Sequence, residues 1–176
     1  MKSRRTSSYG ITLIELIVVI AIWVILFTLA IPSFQQYFKR QKLNGIADNL
    51  HFLLRYAKAE SAKKSQRMWL KIQVNENDDK IWRVALTDTT ACEFTAANPC
   101  LINGIVREYT NAQYQGVSLK TNVNSISIDP IRGRGNAGTI RFALNGMNIE
   151  FRKNTYGNHK VCTNFSATNS RYPACK

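Results

Sequence analysis

An almost unbroken apolar run dominates the start of the chain. From Ile11 to Ile31 only Glu15 is charged. As a helix this run would be roughly 32 Å long, the thickness of a bilayer's hydrocarbon core. Ahead of it, Met1 to Gly10 is polar and basic, with Lys2, Arg4 and Arg5. After Pro32 the pattern changes. Leu43, Ile46, Leu50, Leu53, Leu54 and Ala57 recur three and four residues apart, which marks one face of an amphipathic helix. Lys63, Lys64 and Arg67 crowd its end, where cations suit the helix dipole. A helix from Ile11 to Lys64 would run roughly 80 Å. From Met68 the period becomes two. Residues 69–74 and 81–86 read as paired strands across a polar turn at 75–80, and 125–128 as a short strand. Residues 139–144 and 147–151 flank Asn145-Gly146, a strong hairpin signal. The stretch 88–116 is irregular and reads as a long loop with some strand.

Composition narrows the class. A chain of 176 residues holds one ordinary domain plus an additional segment. With 45% hydrophobic and 20% charged residues it is not a disordered chain. Four cysteines are too few for a disulfide-dense miniprotein but enough for two bridges in an oxidising compartment. Cys92, Cys100, Cys162 and Cys175 allow three pairings, of which the local one is the simplest. Closing the second local loop would contribute roughly 3 kcal/mol. The alternative is four free thiols in a cytoplasmic protein. His51 and His159 are far apart in sequence, with no acid or cysteine at metal-ligand spacing, so no metal and no cofactor is expected. No nucleophile motif or phosphate-cradling loop is present, and no enzyme is expected.

The N-terminus carries the most specific signal. A secretory signal peptide has a shorter apolar region followed by a small-residue cleavage site; here the run is longer and Gly10 precedes it. A carboxylate inside a membrane span is costly and points to function. The plain alternative for Glu15 is an interfacial acid one turn into the helix. Gly10-Ile11-Thr12-Leu13-Ile14-Glu15, behind a basic leader, resembles the cleavage site of type IV pilins and pseudopilins. In that family a prepilin peptidase cuts after the glycine, and the new first residue, usually Phe and here Ile11, is N-methylated. The acid that the family carries shortly after the cut falls on Glu15, and its frequent proline falls on Pro32. The resemblance implies that Glu15 docks on the free amine of a neighbouring subunit, because a buried carboxylate needs a positive partner. Thr12 would add a hydroxyl bond. Pro32 removes one helix hydrogen bond and would kink the rod. Charge counting leaves orientation nearly tied, since Lys39, Arg40 and Lys42 follow the span. The resemblance places the leader in the cytoplasm and the rest across the bacterial inner membrane, in the periplasm.

Residues 50–64, Asp129-Pro130 and Gly138-Thr139-Ile140-Arg141-Phe142 resemble the GspH/FimT branch of pseudopilins and minor pilins. The implied fold class is α+β and pilin-like, a long N-terminal helix packed on a C-terminal domain of antiparallel β-sheets. The organisation then reads as a leader at 1–10, a transmembrane and filament-core helix at 11–31, an amphipathic helix at 32–67, and a β-rich domain with a basic tail at 68–176. Other pilins, the inner-membrane assembly platform and the prepilin peptidase are the implied partners.

Charge adds one more candidate function. The chain holds 24 Lys+Arg against 11 Asp+Glu, a net of +13. Residues 130–176 carry eight cations against Glu150 alone, interleaved with Tyr156, Phe165 and Tyr172. Cations neutralise phosphates and aromatics stack on unpaired bases, the footprint of a nucleic-acid binder. A solvated basic face drawn to anionic lipid or an acidic neighbour is the plain alternative. Some FimT-type minor pilins are implicated in DNA capture during natural transformation, through a tail motif Gly-Arg-x-Arg. The matching stretch here is Ser170-Arg171-Tyr172-Pro173, which keeps only the first arginine. Arg132-Gly133-Arg134-Gly135 lies in another loop and would act as a flexible phosphate clamp. The candidate DNA contacts are Arg132, Arg134, Arg152, Lys153, Lys160 and Arg171. The competing function is a GspH-type minor pseudopilin of a type II secretion system, acting in assembly and protein export without binding DNA.

Overall fold

The computed structural model describes residues 10–165 and 171–175, and the side chains of 29–33 lie outside that description. The first element is a helix, α1, Leu13–Lys64. Its chain divides between two compact units, 1–38 and 39–176.

In the first unit α1 is apolar on every side. Leu13, Ile14, Leu16 to Ile20 and Ile22 to Phe27 are all exposed. A helix that is hydrophobic all round has no preferred core-facing stripe and is stable only when surrounded by apolar material. The expected span over 11–31 includes the side chains that are not described, Pro32 is among them, and most of the leader lies outside the described residues. Among the described residues no helix is long and apolar enough to cross a membrane.

In the second unit the period of 3.6 becomes visible in packing. Leu43, Ile46, Ala47, Leu50, Leu53, Leu54 and Ala57 are buried, while Arg55, Lys58 and Lys63 on the other faces are exposed. The helix ends at Ser65, whose φ of 51° turns the chain left-handed where glycine is usual. Two bonds close the end: Ser65 N–H to Ala62 O at 3.3 Å and Gln66 N–H to Ser61 O at 3.1 Å.

Nine strands follow: β1 Met68–Val74, β2 Trp82–Thr87, β3 Leu101–Ile102, β4 Ile105–Thr110, β5 Ser118–Thr121, β6 Ser125–Ile128, β7 Gly138–Leu144, β8 Met147–Lys153 and β9 His159–Thr163. They form two antiparallel sheets, one in the order β3-β4-β2-β1-β6 and one in the order β5-β7-β8-β9. Met68, Leu70, Trp82, Leu86 and Ile126 from the first sheet join Leu119, Ile140, Phe142, Ile149 and Phe151 from the second, and the buried stripe of α1, in one core. Trp82 hydrogen-bonds through Nε1 to Val117 O at 2.8 Å, so its buried N–H is satisfied.

The hairpin expected at Asn145-Gly146 is present, with φ of 49° and 81°, the left-handed pair that a two-residue hairpin turn requires. The irregular 88–116 stretch contains a second hairpin of the same kind. Asn103 and Gly104, at φ 54° and 74°, join β3 to β4. Ahead of it, residues 92–100 form a loop closed by the Cys92–Cys100 disulfide.

Candidate functional site

The start of α1 is built by its own side chains. Thr12 N–H donates to Glu15 Oε2 at 2.9 Å, and Thr12 Oγ1–H donates to the same oxygen at 3.0 Å. Glu15 N–H donates back to Thr12 Oγ1 at 3.3 Å. This is a reciprocal capping box, which satisfies helix-start donors that have no intrahelical partner. The signal was in the sequence, as Thr12-Leu13-Ile14-Glu15 ahead of an apolar run, but the docking reading of Glu15 did not use it. Gly10 and Ile11 precede the cap and are exposed.

The six candidate DNA contacts fall into different environments. Strand alternation sorts the second sheet's cations by face. Lys120, Arg141 and Glu150 are in register across β5, β7 and β8, with Cys162 next on β9. One row over, Thr139, Arg152 and Lys160 are in register. These positions share the outer face, because Leu119, Ile140, Phe142, Ile149, Phe151 and Val161 between them are buried. Arg141 and Arg152 therefore flank one acid, Glu150, with Lys160 beside Arg152, while Lys120 at the sheet edge pairs with Asp79 at 3.9 Å.

That acid organises the face. The Glu150 side chain is only 5% exposed. Its Oε2 accepts from Arg141 Nη2 at 2.8 Å and Arg141 Nε at 3.1 Å, and its Oε1 accepts from Arg152 Nε. The Arg152 bond, with help from Arg141, holds the Glu150 carboxyl below its ordinary range despite burial. Arg132 and Arg134 are exposed in the loop after β6, and with Arg67, Asp129, Ile131 and Gly135 they line an open cleft of about 510 Å³. Arg67 pairs with Asp129 at 3.6 Å.

Two of the expected contacts are otherwise engaged. Lys153 is a correction: it is buried at 5% exposure and cannot join Arg152 on the outer face. The reason is the strand period, which turns neighbouring side chains to opposite faces, and Lys153 pairs in register with His159 on the inner side. Arg171 is ion-paired to Asp48 of α1, and Tyr172 Oη–H donates to the other oxygen of the same carboxylate. Burial and the Asp48 carboxylate push the Tyr172 hydroxyl up to about 12. Residue 170, the first of the tail motif, lies outside the described residues.

The tail is held at two further points. Cys162 and Cys175 form a disulfide. Thr163 N–H donates to Pro173 O at 2.9 Å and Cys175 N–H donates to Thr163 O at 2.9 Å, so the tail adds a short parallel rung beside β9. The local pairing of the cysteines is thus the one that forms.

The two histidines, far apart in sequence, meet in space. His159 Nε2 on β9 lies 3.1 Å from His51 Nδ1 on α1. Burial lowers the His159 pKa, and repulsion from His51, Lys58, Lys153 and Arg55 lowers it further. Among the described residues no group of three or more His, Cys, Asp or Glu could hold a metal ion.

No curated protein matches the chain at a significant level. A crystal structure of the type IV minor pilin FimU from Pseudomonas aeruginosa (strain PAO1), in space group P21, aligns with a TM-score of 0.52 at 17% identity. The alignment covers 77% of this chain and 99% of that one, and the likeness is one of fold. FimU in space group P65 aligns at 17% identity with a TM-score of 0.49, covering 74% of this chain and 100% of that one. The sequence model of the family described as "Type II transport protein GspH" matches residues 47–166, from the buried stripe of α1 to the end of the second sheet. That match spans more than half of the chain, and with a pilin-like helix on two antiparallel sheets the chain belongs to the GspH family.

Proposed function

We propose that this chain is a minor subunit of a type IV pilus-like filament, FimT-like in presenting a basic surface that binds DNA. It is made with a leader at 1–10, cut after Gly10 by a prepilin peptidase and methylated at Ile11. Residues 11–31 hold it in the inner membrane, with the 39–176 unit in the periplasm, until an assembly platform adds it to the filament alongside other pilins. Family membership and the all-round apolar surface of α1 from Leu13 to Phe27 support this reading. Glu15 serves twice in it, as half of the cap at the helix start and as the docking carboxylate, and Pro32 loosens the helix between its two halves. The role is structural, without catalysis.

One observation carries the DNA reading: the outer face of the β5-β7-β8-β9 sheet gathers Arg141, Arg152 and Lys160, with Lys120 at its edge, and Glu150 answers only Arg141 and Arg152. Arg132 and Arg134 extend the basic character into the adjoining sequence. The test is a titration of the 39–176 unit, whose core and both disulfides lie within it. Labelled duplex and single-stranded DNA are titrated at several salt concentrations. Binding that weakens steeply with salt, and that falls in an Arg132→Ala/Arg134→Ala/Lys160→Ala variant, supports the reading. No binding even at low salt overturns it.

A second reading is favoured by the family match and by the pairing of Arg152 with Glu150, the pairing of Arg171 with Asp48 and the burial of Lys153. In it the chain is a type II secretion pseudopilin whose basic face meets acidic protein. The same titration separates the two.

A further inference from the structure

Between α1 and the β8–β9 hairpin lies a second concentration of positive charge, made of exposed cations on α1 and a buried lysine on β8. Arg55 and Lys58 on α1, Lys153 on β8 and His159 on β9 line a cleft of about 60 Å³, closed by Leu54, Ile128, Gly133 and Gly157. His51 on α1 stands behind His159 at 3.1 Å. Among the described residues no acid lines this cleft. Lys153 is the informative member. It is 95% buried, and among the described residues its Nζ reaches two backbone carbonyls, Asn136 O and Asn154 O, each at 3.4 Å. Burying an ammonium among other cations is unfavourable unless an anion compensates it.

The backbone at the cleft leaves no room for adjustment. Gly157 has φ +89°, and a Cβ there would sit 2.6 Å from Gly133 O. A Cβ on Gly133 would press on Lys58 Cε at 3.3 Å. The two glycines let the 129–135 loop and the β8–β9 turn close on each other and fix the mouth of the cleft beside the lysine stem.

We propose that this cleft is a binding site for one phosphate-sized oxyanion, held by Lys153, Lys58, Arg55 and His159. A cleft of about 60 Å³ is on the scale of a phosphate or sulfate group. The donors are three full cations and an imidazole, which suits a dianion better than a carboxylate. Burial lowers the pKa of both His159 and Lys153, and for His159 the neighbouring cations lower it further. A bound dianion would oppose both shifts, so binding should tighten as pH falls and His159 gains a proton. The charged and titratable groups facing the His51–His159 pair are Arg55 and Lys58 from α1 and Lys153 from β8. The ligand is either free inorganic phosphate or the terminal phosphate of a larger molecule. This site is independent of the outer-face reading, which uses other residues.

The test uses the full chain in a maltoside detergent, with sodium phosphate and sodium sulfate as probes against chloride at matched ionic strength. Thermal unfolding and calorimetry read the binding. The expected result is a saturable rise in Tm with both oxyanions and none with chloride. Sulfate, whose charge is constant, should bind several-fold more tightly below the ordinary histidine pKa of about 6.5 than above it. Lys153→Met should weaken sulfate binding about tenfold or more, as should the exposed-site double variant Arg55→Ala/Lys58→Ala, which spares the core. His159→Gln should remove the pH dependence. A 5′-phosphorylated oligothymidylate competing better than its 5′-hydroxyl twin assigns the site to a terminal phosphate; equal competition assigns it to the free ion. An absence of saturable stabilisation over chloride at tens of millimolar sulfate overturns the proposal. Sulfate binding equally well to the Arg55→Ala/Lys58→Ala protein does the same.

Discussion

Replacing Glu150 by glutamine should make the domain less stable and its surface stickier for polyanions at once. The buried carboxylate accepts two bonds from Arg141 and one from Arg152. Bonds to a charged group contribute about 1.5–3 kcal/mol each when the partner has no alternative. Here both arginine side chains are 49% exposed, so water takes over much of their solvation in the variant. The amide also turns a donor toward a guanidinium. The net loss should be about 2–3 kcal/mol, or roughly 6–12 °C in Tm. The pH dependence gives the sign. Arg152 and Arg141 lower the folded pKa of Glu150 below its unfolded value of about 4.3, so its stabilisation is fully present above that pH. It is lost as pH falls through the folded pKa. The difference between wild type and Glu150→Gln should therefore be flat near neutrality and shrink in acid. If the outer face binds DNA, two arginines released toward phosphate steepen the slope of log K against log salt by up to about 1.8. Denaturant unfolding across pH and a salt-series titration read both effects. A variant within about 0.5 kcal/mol of wild type at neutral pH, with an unchanged slope, would refute the account of Glu150 as the organiser of this face.

Three further predictions concern other parts of the chain. Glu15→Ala should lose half the capping box, loosening the helix start, and should block incorporation into filaments; Glu15→Gln keeps the box but removes the charge, so normal incorporation of that variant would eliminate a charge-based docking role. Replacing Cys162 and Cys175 by serine should cost roughly 3 kcal/mol on the chain-entropy account, measured by urea unfolding, and free the tail to rapid proteolysis. Asp48→Asn should bring the Tyr172 hydroxyl down from about 12 toward 10, because the carboxylate that holds its proton is gone; an ultraviolet titration of tyrosinate that shows no change would contradict the Asp48–Tyr172 contact.

Much of the fold was legible because one rule acted alone at a time. The stripe from Leu43 to Ala57 has a period of 3.6 and no competing signal, and it is the buried face of α1. Asn145-Gly146 demands positive φ at both residues, and the hairpin is there. The missed elements were short or interrupted. β3 has two residues, too few for alternation to register. Asn103-Gly104 carried the same turn signal as the later pair, but its flanking strands are short and half-exposed. The meeting of His51 with His159 was invisible for a different reason, since it depends on which strand lands against which turn of α1, a long-range choice that local pattern does not encode.

The charge excess shows why composition is a weaker guide than register. Residues 130–176 read as one basic block. Folding separates that block by strand parity and by what lies opposite. Arg152 and Lys153 are neighbours in sequence, yet one pairs with Glu150 on the outer face and the other is buried beneath α1. Arg171 is paired to Asp48. Arg132, Arg134 and Lys160 are exposed. Net charge sets how strongly the domain attracts a polyanion from a distance. Which phosphate is then held, and by how many contacts, is decided by parity and pairing. A variant series that keeps net charge constant while moving it between faces would separate the two. Arg132→Gln with Glu150→Gln leaves the total unchanged, transferring free cation from the loop to the sheet. If long-range attraction alone governed binding, that double variant would bind DNA as wild type does; if the outer face is the contact surface, it should bind more tightly than Arg132→Gln alone, by more than one unit of charge predicts at the same salt.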